Sequence, residues 1–320
     1  MLENNTIKTI CIFGIGGVGG YFGSKIVLGA SKTMGESLKT YFIARGNHLD
    51  EIRKNGLTLN AYNGEKLIVK PDEARNDMNG IPPPDLVLLC VKGYGLEEAV
   101  KQISCNISDD TIVLPLLNGA DVYERVRSRL DKGIVLPACV YVSSFVEKPG
   151  TVTMNSEGGK IVLGPDPGIK GFDSKALLTL LDNTEINYSW LDDPRYAIWL
   201  KYAFITTFAL VTAYSGKGLG EVVEDEESRK LADSVLGEVI AVAKKEGIEL
   251  TKESVLYSAG LGRGSLSKDA KTSFQRDIER KSRRNEGDLL AGTLIRLGKK
   301  HGIATPVSEM LYKEIMKKLD

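Results

Sequence analysis

The chain has 320 residues, 42% hydrophobic and 26% charged, which suits a globular protein of two domains rather than one core. Its 42 Lys and Arg balance 42 Asp and Glu, so no net charge draws it to nucleic acid or to an anionic membrane. No apolar run approaches the roughly 18 residues of a membrane helix, and Met1–Asn5 lacks the basic start of a signal peptide, so we expect a soluble, cytoplasmic protein.

The first half alternates strand and helix signals. Residues 8–13 form an apolar run that predicts a buried strand, followed by a glycine cluster and a helix over 18–28. A second strand is expected over 39–44. Residues 57–61 and 66–70 predict a hairpin around Asn63-Gly64. Pro82-Pro83-Pro84 precedes a strongly apolar strand over 85–91. Then come a helix over 95–103, a strand over 111–116, a helix over 121–130 and a strand over 134–142. Short apolar strands between helices indicate a parallel sheet covered on both faces. Residues 146–163 look antiparallel, with turns at Lys148-Pro149-Gly150 and Glu157-Gly158-Gly159. A helix over 174–181 and a strand over 185–191 close this half.

Asp192-Asp193-Pro194 has the character of a helix start, with proline in the first turn. Helices are expected beyond it over 198–214, 227–246, 268–284, 286–301 and 305–319. The four cysteines, Cys11, Cys90, Cys105 and Cys139, are widely spaced and form no CxxC pair, so buried free thiols in a reducing cytosol are expected rather than a redox or zinc site. His48 and His301 both lie in polar, turn-like contexts, which leaves acid–base work to Lys, Glu or Asp.

The most informative motif is Gly14-Ile15-Gly16-Gly17-Val18-Gly19, set between the first strand and the first helix. Gly14 permits a tight turn, Gly16 lets a pyrophosphate approach the backbone, and Gly19 lets helix and strand pack closely. The helix N-terminus then offers unpaired N–H groups to the anion. We therefore expect dinucleotide binding on a Rossmann-type domain. At the tip of the second strand, where NAD enzymes usually place an acid, stands Arg45. A guanidinium can grip a 2′-phosphate through two parallel hydrogen bonds, so NADP (NADPH) is expected over NADH. Arg45 lies further from the glycines than the usual ~20 residues, and residues 29–37 look like an insertion. The fold class is thus α/β: a Rossmann-type NADP-binding domain over 1–190, then an all-helical substrate or dimerisation domain over 191–320.

The chain resembles the ketopantoate reductase (2-dehydropantoate 2-reductase) family along nearly its whole length. The likeness rests on the glycine loop, Ala44-Arg45-Gly46, Asn55-Gly56-Leu57, Cys90-Val91-Lys92, Leu117-Asn118-Gly119 and Trp199-Leu200-Lys201. It continues through residues 272–277, Asn285-Glu286 and residues 301–306. The resemblance implies NADPH-dependent reduction of 2-dehydropantoate to pantoate, with no nucleic-acid or membrane partner and room for a homodimer. It implies Lys201 as general acid, Glu286 near Lys201 and the ligands, and Lys92 and Asn118 on cofactor and substrate. It implies Ser273 on the substrate carboxylate. An ammonium is a fitting donor, since hydride addition to a ketone makes an alkoxide. Partial burial beside Trp199, Tyr202 and Phe204 would lower its pKa.

Two departures touch the substrate half. The family often carries Asn four and eight residues after the lysine, where this chain has Ile205 and Ala209, with Thr206, Thr207 and Thr212 nearby. The interval from Asp277 to Glu286 is also one residue longer than usual. Reduction of another small 2- or 3-keto acid therefore stays open, as does a non-catalytic NADP-binding sensor.

Overall fold

A computed structural model describes residues 6–33, 38–258 and 268–319. The later part of the suspected insertion, residues 34–37, lies outside the described residues. The chain separates into two compact units. The first holds residues up to Val91, Gly95–Leu117 and Val122–Pro194, and the second holds Lys92–Tyr94, Asn118–Asp121 and everything from Arg195.

The first unit is built on strand β1 (Thr9–Phe13), whose Ile, Cys and Phe side chains are buried on both faces. Such a strand needs cover above and below, and it sits inside a parallel sheet. Its neighbours are β2 (Lys39–Ile43) and β6 (Leu86–Leu89), in the registers Phe13 to Ile43 and Phe13 to Leu89. Strand β5 (Glu73–Arg75), strand β7 (Ile112–Pro115) and the short β8 (Ile134–Val135) complete the order β5-β2-β1-β6-β7-β8, all parallel. The chain thus reverses direction across the sheet between β1 and β6, where open α/β sheets bind ligands beyond the strands' carboxyl ends. Helix α1 (Gly17–Thr33) begins directly after β1.

A second sheet contains β3 (Leu57–Asn60), β4 (Lys66–Val69), β9 (Ala138–Lys148), β10 (Thr151–Leu163) and β11 (Asn187–Trp190). Its order is β11-β10-β3-β4, with β9 antiparallel on β10. The hairpin of β3 and β4 forms around Asn63-Gly64 as expected, with Gly64 at φ 86°. Two strand expectations need correction. Residues 134–142 are not one strand: Pro137, which has no N–H to give a ladder, divides β8 in the first sheet from β9 in the second. Glu157-Gly158-Gly159 is not a turn but an irregularity inside β10, between the pairs Met154–Ser144 and Gly159–Val142. A Cβ at Gly159 would stand 2.6 Å from the Tyr21 ring, so the missing side chain lets α1 lie against the strand. Helices α3 (Leu96–Ser104), α4 (Val122–Arg127) and α5 (Lys175–Asn183) match expected positions. Helix α2 (Gly46–Asn55), with only Leu49 and Ile52 buried, was not foreseen.

The second unit is helical. Helix α6 (Arg195–Ser215) is its core, with twelve buried residues from Ile198 to Ala213. Contrary to expectation, α6 has the length and hydropathy (1.3 over 18 residues) of a membrane span, but two-thirds of that window (67%) is buried in the protein. Around it pack α7 (Leu219–Glu224), α8 (Glu226–Lys245), α9 (Lys252–Ser258), α10 (Ser273–Glu279), α11 (Thr293–His301) and α12 (Pro306–Lys317). The expected helix over 268–284 is shorter. Thr272 caps α10 by accepting from the Gln275 N–H, and Lys281 at φ 53° turns the chain out of it. The expected helix over 286–301 opens with a π-turn over Asp288–Gly292 before α11.

Candidate active site

The glycine loop shows why each glycine is there. Gly14 adopts φ 100°, and a Cβ on it would press at 3.0 Å on the Cys90 backbone. A Cβ on Gly19 would collide with the Gly14 carbonyl oxygen, one on Gly17 with the Ser144 carbonyl oxygen, and one on Gly20 would stand 2.6 Å from Val152. These three let α1 lie tightly against the loop and the hairpin of β9 and β10. At Gly16 a Cβ would meet nothing within 4 Å. Gly16 therefore borders open space at the N-terminus of a 17-residue helix, a cradle suited to a diphosphate. Ile15 is buried, and Val18 packs partly against the same core. Gly17, predicted to touch the cofactor, also serves this helix–hairpin approach.

Arg45 follows β2 and caps the start of α2 in extended conformation, φ −137° and ψ 155°. It is exposed, and its guanidinium has no hydrogen bond or ion pair among the described residues. One turn on, His48 lies in α2 and is half-buried rather than in a turn. Its Nδ1 accepts from the Gly150 N–H at 2.9 Å, and burial holds its pKa below the usual 6.5. This bond ties Arg45's helix to the turn between β9 and β10.

Lys92, Asn118, Lys201 and Glu286 all fall in the second unit. Lys201, partly buried on α6, donates from Nζ to Asn118 Oδ1 at 2.8 Å. An ammonium only donates, so the amide must present its oxygen, which leaves Asn118 Nδ2 as a donor for a ligand. Glu286 is 6% exposed and accepts from Lys92 Nζ at 2.9 Å. Asp277 also faces that ammonium, at 3.6 Å. Burial pushes the Lys92 pKa down, but the Glu286 and Asp277 carboxylates outweigh it and hold it above the ordinary 10.5.

The π-turn after Glu286 fixes this arrangement. Tyr202, next to Lys201, donates its hydroxyl to the Leu290 carbonyl at 2.6 Å. A Cβ on Gly93 would stand 2.5 Å from Leu289, so the segment after Lys92 also lies close against the turn. Thr293 donates to Asp121 at 2.9 Å, anchoring the segment that begins with Asn118. A π-turn is a common companion of functional sites because it re-aims neighbouring side chains.

Ser273 opens α10 and is exposed, without a side-chain partner among the described residues. It lies one turn before Asp277 on the same helical face, and among the described residues no hydrogen bond joins its side chain to Lys92, Asn118, Lys201 or Glu286. Asp277, which faces Lys92, was not among the expected site residues, although it ends the 272–277 stretch that carries the resemblance.

A parallel sheet whose strand order reverses beside a glycine turn of this form defines a dinucleotide-binding fold. Residues 10–168 match the family Ketopantoate reductase PanE/ApbA, and residues 193–319 match Ketopantoate reductase PanE/ApbA C terminal. The chain is 27% identical over 308 residues to an uncharacterized oxidoreductase, YkpB, of Bacillus subtilis, covering 95% of this chain and 96% of that one. It is 27% identical over 322 residues to the 2-dehydropantoate 2-reductase of Mesorhizobium japonicum, covering 93% of each. A crystal structure of a PanE/ApbA family ketopantoate reductase from Ralstonia eutropha superposes with a TM-score of 0.85 at 26% identity, over 98% of both chains. The chain belongs to the PanE/ApbA ketopantoate reductase family. It is an NAD(P)-dependent oxidoreductase of that family, whose membership implies a small keto-acid substrate.

Proposed function

We propose that this chain uses NADPH to reduce a small 2-keto acid to the 2-hydroxy acid, with Lys201 as general acid. Conversion of 2-dehydropantoate to pantoate is the reaction its family points to. The observation that carries the proposal is the 2.8 Å bond from Lys201 to Asn118, which holds an ammonium on a rigid helix beside an amide with donors to spare. Gly14 to Gly19 would hold the diphosphate, and Arg45 a 2′-phosphate. When bound, the reduced nicotinamide supplies a hydride to the carbonyl carbon.

Lys201 protonates the oxygen of that carbonyl as negative charge develops there, and Asn118 Nδ2 donates a hydrogen bond to it. Lys92 serves the ligands' anionic groups, held in place by Glu286 and Asp277. Ser273 assists with the substrate carboxylate. The test is oxidation of NADPH by the purified chain with 2-dehydropantoate beside a panel of 2- and 3-keto acids. Turnover dependent on a 2-keto acid supports the proposal. Tight NADPH binding without turnover of any acid would make the chain a sensor instead.

A further inference from the structure

The stripe of α6 that carries Lys201 bears on the choice of substrate side chain. Successive residues on a helix turn by about 100° and rise 1.5 Å. Phe204 and Ile205 therefore flank Lys201 one turn on, with Ala209 a turn beyond. Phe204 and Ile205 are both partly exposed, and both are packed from below by the helical core. Ala209 is 1% exposed.

The hydroxyls of α6 do not compensate. Thr206 and Thr207 stand on the far side of the helix, 0% and 1% exposed. Thr212 returns to the stripe about three turns from Lys201, and its hydroxyl is engaged by the Phe208 carbonyl at 2.7 Å and by Thr272 at 3.1 Å. A carbonyl placed at Lys201 thus has an apolar shoulder of Phe204 and Ile205 beside it, with no α6 hydroxyl or amide to receive a substrate hydroxyl.

Resting on the reductase proposal above, we propose that the preferred substrate is a 2-keto acid with a branched or aromatic hydrocarbon side chain rather than a hydroxylated one. Burying an unpaired hydroxyl against such a shoulder costs binding, while an apolar group gains by leaving water. The discrimination expected for one added hydroxyl in an apolar pocket is modest, about 10- to 100-fold.

The test compares 3,3-dimethyl-2-oxobutanoate with 2-dehydropantoate, which differs from it only by a 4-hydroxyl, at saturating NADPH. We expect kcat/KM to favour the deoxy acid by about 10-fold or more. We expect I205N, and the more conservative I205T, to shrink that ratio while both variants still bind NADPH. A wild-type preference for 2-dehydropantoate overturns the substrate class and leaves the reductase proposal standing. A ratio unmoved in both folded variants removes Ile205 as its determinant and overturns the inference. Turnover of neither acid nor any other 2-keto acid overturns the reductase proposal and this inference with it.

Discussion

The glycine loop of the first unit and the charged groups of the second are built by opposite means. In the loop, side chains are absent where backbone must approach backbone, as at Gly17 and Gly19, or where space must stay open, as at Gly16. In the second unit, four charged side chains and an amide, drawn from α6, α10, the π-turn segment and two short loops, are paired across long sequence separations. An added Cβ would collide with backbone at Gly17 and Gly19 but enter open space at Gly16.

The largest effect that would sharpen this contrast comes from Lys201→Ala. Its loss should cut kcat by about 10²- to 10⁴-fold, the usual worth of a general acid, with NADPH affinity little changed. Steady-state rates beside a direct binding titration check this, and near-normal kcat would remove Lys201 from the mechanism. Next, Arg45→Asp should abolish the proposed preference for NADPH over NADH, a change on the order of 10- to 100-fold, since each lost charged hydrogen bond is worth roughly 1.5–3 kcal/mol. The ratio of the two cofactors' kcat/KM reads it, and an unchanged ratio would refute the clamp.

Within the loop, Gly19→Ala should destabilise the fold by about 1–3 kcal/mol through overpacking, seen in denaturant melts. Gly16→Ala should leave the melt unchanged and weaken dinucleotide binding instead. Equal melts for the two variants would contradict the division of labour among these glycines.

The smallest effect belongs to Lys92. Its pKa is raised on folding, so its pairing contributes stability that is intact below its ordinary 10.5 and lost as pH rises through the higher folded value. Lys92's side chain is 42% exposed, and solvent screening limits the contribution to about 1 kcal/mol at most. Glu286→Gln should flatten this alkaline loss, and a melt series above pH 9 would show it.

Much of the first unit was legible in the sequence because its signals are local. Apolar strands such as Ile10–Phe13, the glycine cluster and Asn63-Gly64 each act within a few residues. What escaped depends on tertiary context. Helix α2 buries only Leu49 and Ile52, too few for a periodic signal. Pro137 divides a run that looks continuous, because the choice of sheet is made by partners elsewhere. Gly158-Gly159 carries the composition of a turn, but the pairing of β10 with β9 resumes at Gly159, where Tyr21 on α1 leaves no room for a side chain. The π-turn and the pairing of Asp277 with Lys92 have no short-range signature at all. Lys92, Asn118, Lys201 and Glu286 were found by resemblance, while Asp277 and the pairing came from the fold.

The central claim is that a hydride reaches the carbonyl carbon of a 2-keto acid on this protein. NADPH carrying deuterium in the transferable position of its nicotinamide, incubated with the chain and a 2-keto acid, tests it most directly by mass spectrometry of the product. The expected product is a 2-hydroxy acid about one mass unit heavier, with the label on its second carbon. Cofactor bound tightly while every 2-keto acid remains unlabelled and unreduced would contradict it.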